Sequence, residues 1–198
     1  MAPLRLLLAA TVAGAAWGRL RTAQDAHVDV TFQVSMGGDV PKASSFTVRV
    51  HPDWAPKGAA QFKRLIEEGW YDGAGIFRVV PGFVSQFGLP ATPHPELPSI
   101  KDDPVKVSNR RGTLTFATAG PNTRTSQLFF NTGNNGFLDD QGFSPFAEVL
   151  GDGMGIVDAF FSGYGERPSQ GKITHLGNVY LDSRFPKLSK IGKLSIQN

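Results

Sequence analysis

The chain has 198 residues, enough for one ordinary domain and hardly for two. Hydrophobic residues make up 40% and charged residues 19%, a composition that packs a core and argues against disorder. A formal charge of +3 is too balanced to point to nucleic acid, and the absence of Cys removes disulfides, thiolate nucleophiles and Cys-ligated zinc.

The first residues stand apart. One positive charge, Arg5, precedes an apolar run over 6–17, and Ala16-Trp17-Gly18 places small residues at −3 and −1 of a cleavage site after Gly18. This predicts a signal or targeting segment over 1–24 and a domain over 25–198, destined for the secretory pathway or the extracellular space. Arg5, Arg19 and Arg21 all precede the first acid, Asp25, so an organelle transit peptide, leading to a plastid or mitochondrial lumen, is the alternative. The apolar run is short for a bilayer, so no transmembrane anchor is expected after processing.

Val28, Val30, Phe32 and Val34 alternate with polar residues, as do Phe46, Val48 and Val50, which predicts two half-buried strands joined by the Gly37-Gly38 turn. Asp53 and Pro56 read as helix-start signals and Gly69 as a stop, with Phe62, Leu65 and Ile66 forming one apolar stripe between them. Residues 76–80 and 83–87 are strand-like and broken by Pro81-Gly82. A Pro-rich loop follows over 88–111, then strands over 113–118, 127–132 and 146–150. A short helix is expected over 154–161 and a closing strand over 172–181. Strands first, isolated helices and no βαβ alternation predict an antiparallel sheet or barrel. With 15 Phe in the chain, its interior is expected to be filled.

Familiar catalytic apparatus is missing. His27, His51, His94 and His175 are scattered, lack metal-ligand spacing and read as structural or surface residues. There is no Gly-x-Ser-x-Gly elbow and no Walker loop. Gly151-Asp152-Gly153-Met154-Gly155 lacks the Lys-Ser/Thr pair of a phosphate loop and reads as a turn before a helix. Asp139, Asp140 and Asp152 do not follow an EF-hand pattern. No metal or cofactor is expected.

Two segments remain unusual: Phe77-Arg78-Val79-Val80-Pro81-Gly82-Phe83-Val84-Ser85-Gln86, and the run from Phe116 to Phe130 containing Ala119-Gly120-Pro121-Asn122-Thr123 and Ser126-Gln127-Leu128-Phe129-Phe130. Strand alternation puts Phe77, Val79, Leu128 and Phe130 on one face and Arg78, Gln127 and Phe129 on the other. If Phe77, Val79, Leu128 and Phe130 fill the core, the opposite face turns outward, an aromatic ring beside two polar anchors, which is the composition of a ligand pocket. The Pro81-Gly82 bend leaves the facing of Phe83 and Gln86 open.

These strings resemble the cyclophilin-type peptidyl-prolyl cis-trans isomerases. The resemblance runs from about Val28 to Ile191 and continues through Phe137-Leu138-Asp139, Gly142-Phe143-Ser144-Pro145-Phe146, Gly163-Tyr164-Gly165-Glu166 and Gly177-Asn178-Val179-Tyr180-Leu181. It implies a closed eight-stranded antiparallel β-barrel capped by two α-helices, near 56–68 and 153–161, with a substrate groove on the outer wall. It implies Arg78 as catalytic arginine. Phe83 and Phe129 would form the floor of a proline pocket lined by Val84 and Leu138, with Gln86 bonding the substrate backbone. Ala117, Thr118, Ala119 and Gln127 would lie along the peptide groove.

Val84 stands where many members have Met. Phe137 stands where many have Trp, which removes an indole donor and predicts reduced affinity for cyclosporin-like cyclic peptides. Phe143 is the candidate for the space of a histidine that many members carry, with a one-residue difference in segment length. Phe77 replaces a frequent His. The implied activity is isomerisation of Xaa-Pro bonds in proline-containing polypeptides, without cofactor, assisting protein folding as a monomer. The alternatives are a catalytically weak proline-peptide-binding or chaperone module on the same fold, and a small-ligand carrier with an open barrel lumen.

Overall fold

The structure is a computed structural model and describes residues 27–39 and 41–197. The predicted signal segment therefore lies outside the described residues. The first two strands, β1 (Val28–Met36) and β2 (Lys42–Val50), pair antiparallel in unbroken register from Val28↔Val50 to Met36↔Lys42. Their alternation buries Val30, Phe32, Val34, Phe46, Val48 and Val50 on a single face.

Helix α1 (Pro56–Glu67) begins at proline, whose missing N–H costs nothing in the first turn. Asp53 does not cap it. The carboxylate of Asp103, distant in sequence, accepts hydrogen bonds from the backbone N–H groups of Lys57 at 3.1 Å and Gly58 at 2.9 Å. Phe62 and Leu65 face the core without exposure, while Ile66 is half-buried at its margin.

The strands β3 (Arg78–Val80), β4 (Val84–Phe87), β5 (Thr113–Phe116), β6 (Leu128–Asn131), β7 (Pro145–Val149) and β8 (Lys190–Ile196) complete one antiparallel sheet in the order β3-β4-β6-β5-β7-β2-β1-β8. The sheet curls into a half-barrel and is not closed as expected, because β3 and β8 share no ladder. The segments flanking Gly75 span the seam: the N–H of Ile76 donates to Ser189 O at 2.9 Å, and that of Ile191 to Ala74 O at 2.8 Å.

The interior is filled. Phe32, Phe46, Phe62, Phe87, Phe116, Phe130 and Phe146 belong to one buried cluster, with ring centroids 5.1 Å apart for Phe32–Phe46 and 5.5 Å for Phe87–Phe130. The filled interior argues against an open lumen and so against the carrier reading.

The C-terminal third departs from expectation. Helix α2 (Gly153–Asp158) is shorter than predicted. The segment expected to form a closing strand forms α3 (Gln170–Leu176) and α4 (Asn178–Arg184), so among the described residues four α-helices accompany the sheet, not two. Ser169 Oγ accepts from Lys172 N at 3.5 Å, starting α3. Gly177, at φ 56°, separates the two helices where a Cβ would lie 2.2 Å from Ala91 O. Ile173 and Leu181 turn inward and join Phe77, Leu89 and Leu188 in a second apolar cluster. Phe77 is thus buried as predicted, but outside the main core. The closing strand is β8, which has no counterpart among the predicted elements.

Candidate active site

Directly opposed residues of antiparallel strands share a face. The register pairs Arg78 with Gln86, Gln86 with Phe129 and Phe129 with Thr115, which lays Arg78, Gln86 and Phe129 in one row across β3, β4 and β6. Val79, Phe87, Leu128 and Phe130 point the other way into the buried cluster. The alternation argument holds, and the ladder supplies the facing of Gln86 that the Pro81-Gly82 bend leaves open.

A cavity of about 320 Å³ opens on this outer face. Its apolar part is a separate small cluster of Val84, Phe129 and Leu138, edged by Phe83, Ala117 and Phe143. Phe143 meets Phe129 edge-on at 5.8 Å between centroids, so it does enter the hollow. Its polar part is a chain of side chains. Arg78 Nη1 donates to Gln86 Oε1 at 3.2 Å, and Gln86 Nε2 donates to Gln127 Oε1 at 2.9 Å. The Arg78 guanidinium carbon lies 5.4 Å from the Phe83 ring centroid. Thr118 and Ala119 form the far rim, where Ala119 N donates to Thr123 Oγ1 at 2.9 Å.

Phe137 is the exception among the expected site residues. It is 58% exposed, does not line the cavity, and stacks on the outer side of Phe83 with centroids 6.0 Å apart. Other participants were not expected from sequence. Thr123, Thr125 and Gln170 line the cavity, and Glu166 accepts a hydrogen bond from Arg78 Nε at 2.5 Å. Thr123, Thr125 and Glu166 lie within the strings singled out above. Gln170 carries no sequence signal, because it comes from a helix that local pattern does not predict.

A buried polar network holds the hollow from below. Asn135 Nδ2 donates to Asn131 Oδ1 at 2.7 Å and to Phe83 O at 2.8 Å. Asn109 Nδ2 donates to Asp139 Oδ1 at 2.7 Å and to Phe143 O at 2.8 Å, and Thr115 Oγ1 donates to Asn109 Oδ1 at 2.9 Å. Partial burial opposes the charge on Asp139, yet hydrogen bonds from Ser108 and Asn109 hold its carboxyl below the usual aspartate range. The main chain of both rim phenylalanines is thereby tied to one network, and the short 3₁₀ turn Gly136–Gln141 that carries Leu138 is tied to it through Asp139. Such well-partnered networks hold the groups that line a cavity in place.

The site is thus an outward hollow on a curled β-sheet, apolar at one end and carrying a tethered guanidinium at the other. The family model described as "Cyclophilin type peptidyl-prolyl cis-trans isomerase/CLD" matches residues 31–178. A "Probable peptidyl-prolyl cis-trans isomerase" of Brucella abortus is 30% identical over 176 residues, covering 79% of this chain and 84% of the relative. A "Peptidyl-prolyl cis-trans isomerase" of Acinetobacter baylyi is 33% identical over 120 residues, 56% of this chain and 63% of that protein. A "Peptidyl-prolyl cis-trans isomerase-like 3" of Gibberella zeae is 34% identical over 117 residues, 53% and 70% respectively. The chain belongs to the cyclophilin-type peptidyl-prolyl cis-trans isomerase family.

Proposed function

We propose that the protein accelerates cis-trans isomerisation of Xaa-Pro peptide bonds in proline-containing polypeptides, and so assists their folding. The uncatalysed rotation must break amide resonance, a barrier of roughly 18–20 kcal/mol. The catalyst needs no nucleophile; it must bind the twisted amide better than either planar form. The proline ring enters the hollow of Phe83, Val84, Phe129 and Leu138. Gln86 and the groove backbone hold one side of the peptide while the carbonyl on the other side turns. As resonance is lost the proline nitrogen regains its lone pair, and the Arg78 guanidinium donates to it.

One observation carries this reading. The Arg78 guanidinium is held at the mouth of the hollow by Gln86 through Nη1 and by Glu166 through Nε, and Nη2 has no partner among the described residues. A donor fixed before the reaction needs no reorganisation in the twisted state. The test is a protease-coupled isomerisation assay on a proline peptide. The wild-type chain is expected to accelerate exchange, and Arg78→Ala to lower kcat/KM by about a hundredfold. Equal rates for the two would overturn the mechanism. Peptide binding without acceleration by the wild type would turn the reading to a binding module.

The compartment rests on residues outside the described ones. The apolar run over 6–17 and the small residues before position 19 support export to the secretory pathway, tested by localising the tagged full-length chain. Among the described residues no helix is long and apolar enough to cross a membrane.

A further inference from the structure

The four histidines are scattered in the sequence, but the fold brings two of them together. The β1–β2 register pairs Val28 with Val50, so His27 and His51, one step further, face each other across the end of the ladder. Their ring centroids are 4.4 Å apart. Asp53 follows in the turn that leads into α1. One donor atom from each of His27, His51 and Asp53 lies within 4.8 Å of the other two.

An independent observation points to a ligand. The His51 side chain is only 8% exposed, and its Nδ1 is a buried atom with no hydrogen-bond partner among the described residues. Such an atom is a cost unless something occupies it. The ring is firmly placed. Trp54 stacks on it at 3.8 Å with 4° between planes, and its Nε2 lies 3.1 Å from Glu148 Oε1. Glu148 is in turn held by Arg110 Nη2 at 3.3 Å. With a carboxylate as acceptor, Nε2 carries the proton and Nδ1 keeps its lone pair. A carboxylate bonded to one ring nitrogen while the other ligates is the usual outer arrangement of a metal-binding histidine.

The two remaining members are exposed. Lys106 Nζ donates to the main-chain carbonyl of Asp53 at 2.7 Å, which steadies the turn without occupying the carboxylate. Ligands bound to one ion at about 2.0–2.1 Å sit roughly 3–3.5 Å apart, a spacing compatible with three donors that lie within 4.8 Å of one another.

We propose that His27, His51 and Asp53 form a site for a divalent transition-metal ion of the zinc class, with His51 ligating through Nδ1 and solvent completing the coordination. Two imidazoles and one carboxylate select zinc, nickel or copper over magnesium or calcium, which require oxygen ligands. The ion clamps the beginning of β1 to the turn before α1. None of the three residues lines the candidate active-site cavity, so binding is independent of the isomerase reading.

The test is calorimetric titration of the tag-free full-length chain, freed of metal with a chelator, using Zn2+ alone, with the thermal midpoint and tryptophan fluorescence followed in parallel. One ion per chain, a raised Tm, a fluorescence change reported by Trp54 and no response to Mg2+ or Ca2+ are expected. His27→Gln and Asp53→Asn, both at exposed positions, each weaken binding at least tenfold, and Glu148→Gln weakens it about tenfold by releasing the His51 ring. Absence of Zn2+ binding, or a His27→Gln/Asp53→Asn double variant that binds as the wild type does, overturns the proposal.

Discussion

Arg78 Nε donates to Glu166 Oε1 at 2.5 Å, joining a strand residue of the groove to a loop that precedes α3. That loop is docked by the Val79 N–H, which donates to Gly165 O at 3.2 Å and so carries Glu166 over the guanidinium. Glu166 is 62% exposed and Arg78 28%, so the pair contributes little to stability. Its effect is on orientation, because it ties Nε while Gln86 ties Nη1. Glu166→Gln is expected to lower kcat/KM by about two- to fivefold with an unchanged Tm. About 1 M salt should narrow the gap between variant and wild type, since the ion pair is screened. A variant as active as the wild type at low salt would remove Glu166 from the mechanism.

Arg78→Lys keeps the positive charge and loses the planar fork. The ammonium cannot meet Gln86 and Glu166 and still present a third donor in the same plane. Activity is expected to fall by about ten- to a hundredfold in the protease-coupled assay while peptide binding changes little. A lysine variant close to wild-type activity would mean that charge alone suffices.

Phe137 stands at the rim, 58% exposed and stacked on Phe83, where an indole N–H would be free to meet a cyclic ligand. Phe137→Trp is expected to tighten cyclosporin binding by about two- to tenfold, the worth of one hydrogen bond. Inhibition curves for the two proteins measure the change, and proline-peptide turnover should be unaffected.

Arg124 is 2% exposed, and both terminal nitrogens donate to Asp103 Oδ2 at 3.2 Å. The same carboxylate caps α1, so Arg124→Ala leaves a buried anion with only backbone donors. A loss of about 3–5 kcal/mol is expected in urea denaturation. Loosening of the rim turn should accompany it, because Asp102 and Asn122, next to this pair, bond each other at 2.7 and 3.1 Å.

Asp29 and Arg49 are opposed on β1 and β2 and share two hydrogen bonds of 2.8 Å. The hydrogen bond from Arg49 holds the Asp29 carboxyl below its ordinary value. A carboxyl depressed in the folded state stabilises the fold above its unfolded pKa, and that contribution is lost as pH falls through the folded value. The urea midpoint should therefore fall as pH drops below the ordinary aspartate value of 3.8, and by less in Asp29→Asn. An unchanged acid dependence in the variant would show that the pair does not set it.

The facing of Arg78 and Phe129 relative to their strand neighbours was legible from residue order alone, and that of Gln86 was not. Alternation in a strand obliges Arg78, Gln127 and Phe129 to oppose Val79, Leu128 and Phe130, whatever the rest of the fold. The late helices were not legible. Ile173 and Leu181 bury themselves against Phe77 and Leu89, and that demand for a lid decides the state of a segment whose local pattern also suits a strand. The roles of Glu166 and the Asp103 cap were hidden too, since each acts on a residue far away in the chain, and Gln170 reaches the cavity only through the fold.

Local order by itself determined which residues of β3 and β6 share a face, because strand periodicity is a property of neighbours. Only the tertiary structure decided which strands lie side by side. That pairing tethers the Arg78 guanidinium to Gln86, leaves the sheet curled but unclosed, and brings His27 against His51. Register and packing depend on the whole chain burying one common core, a condition that no short segment expresses alone.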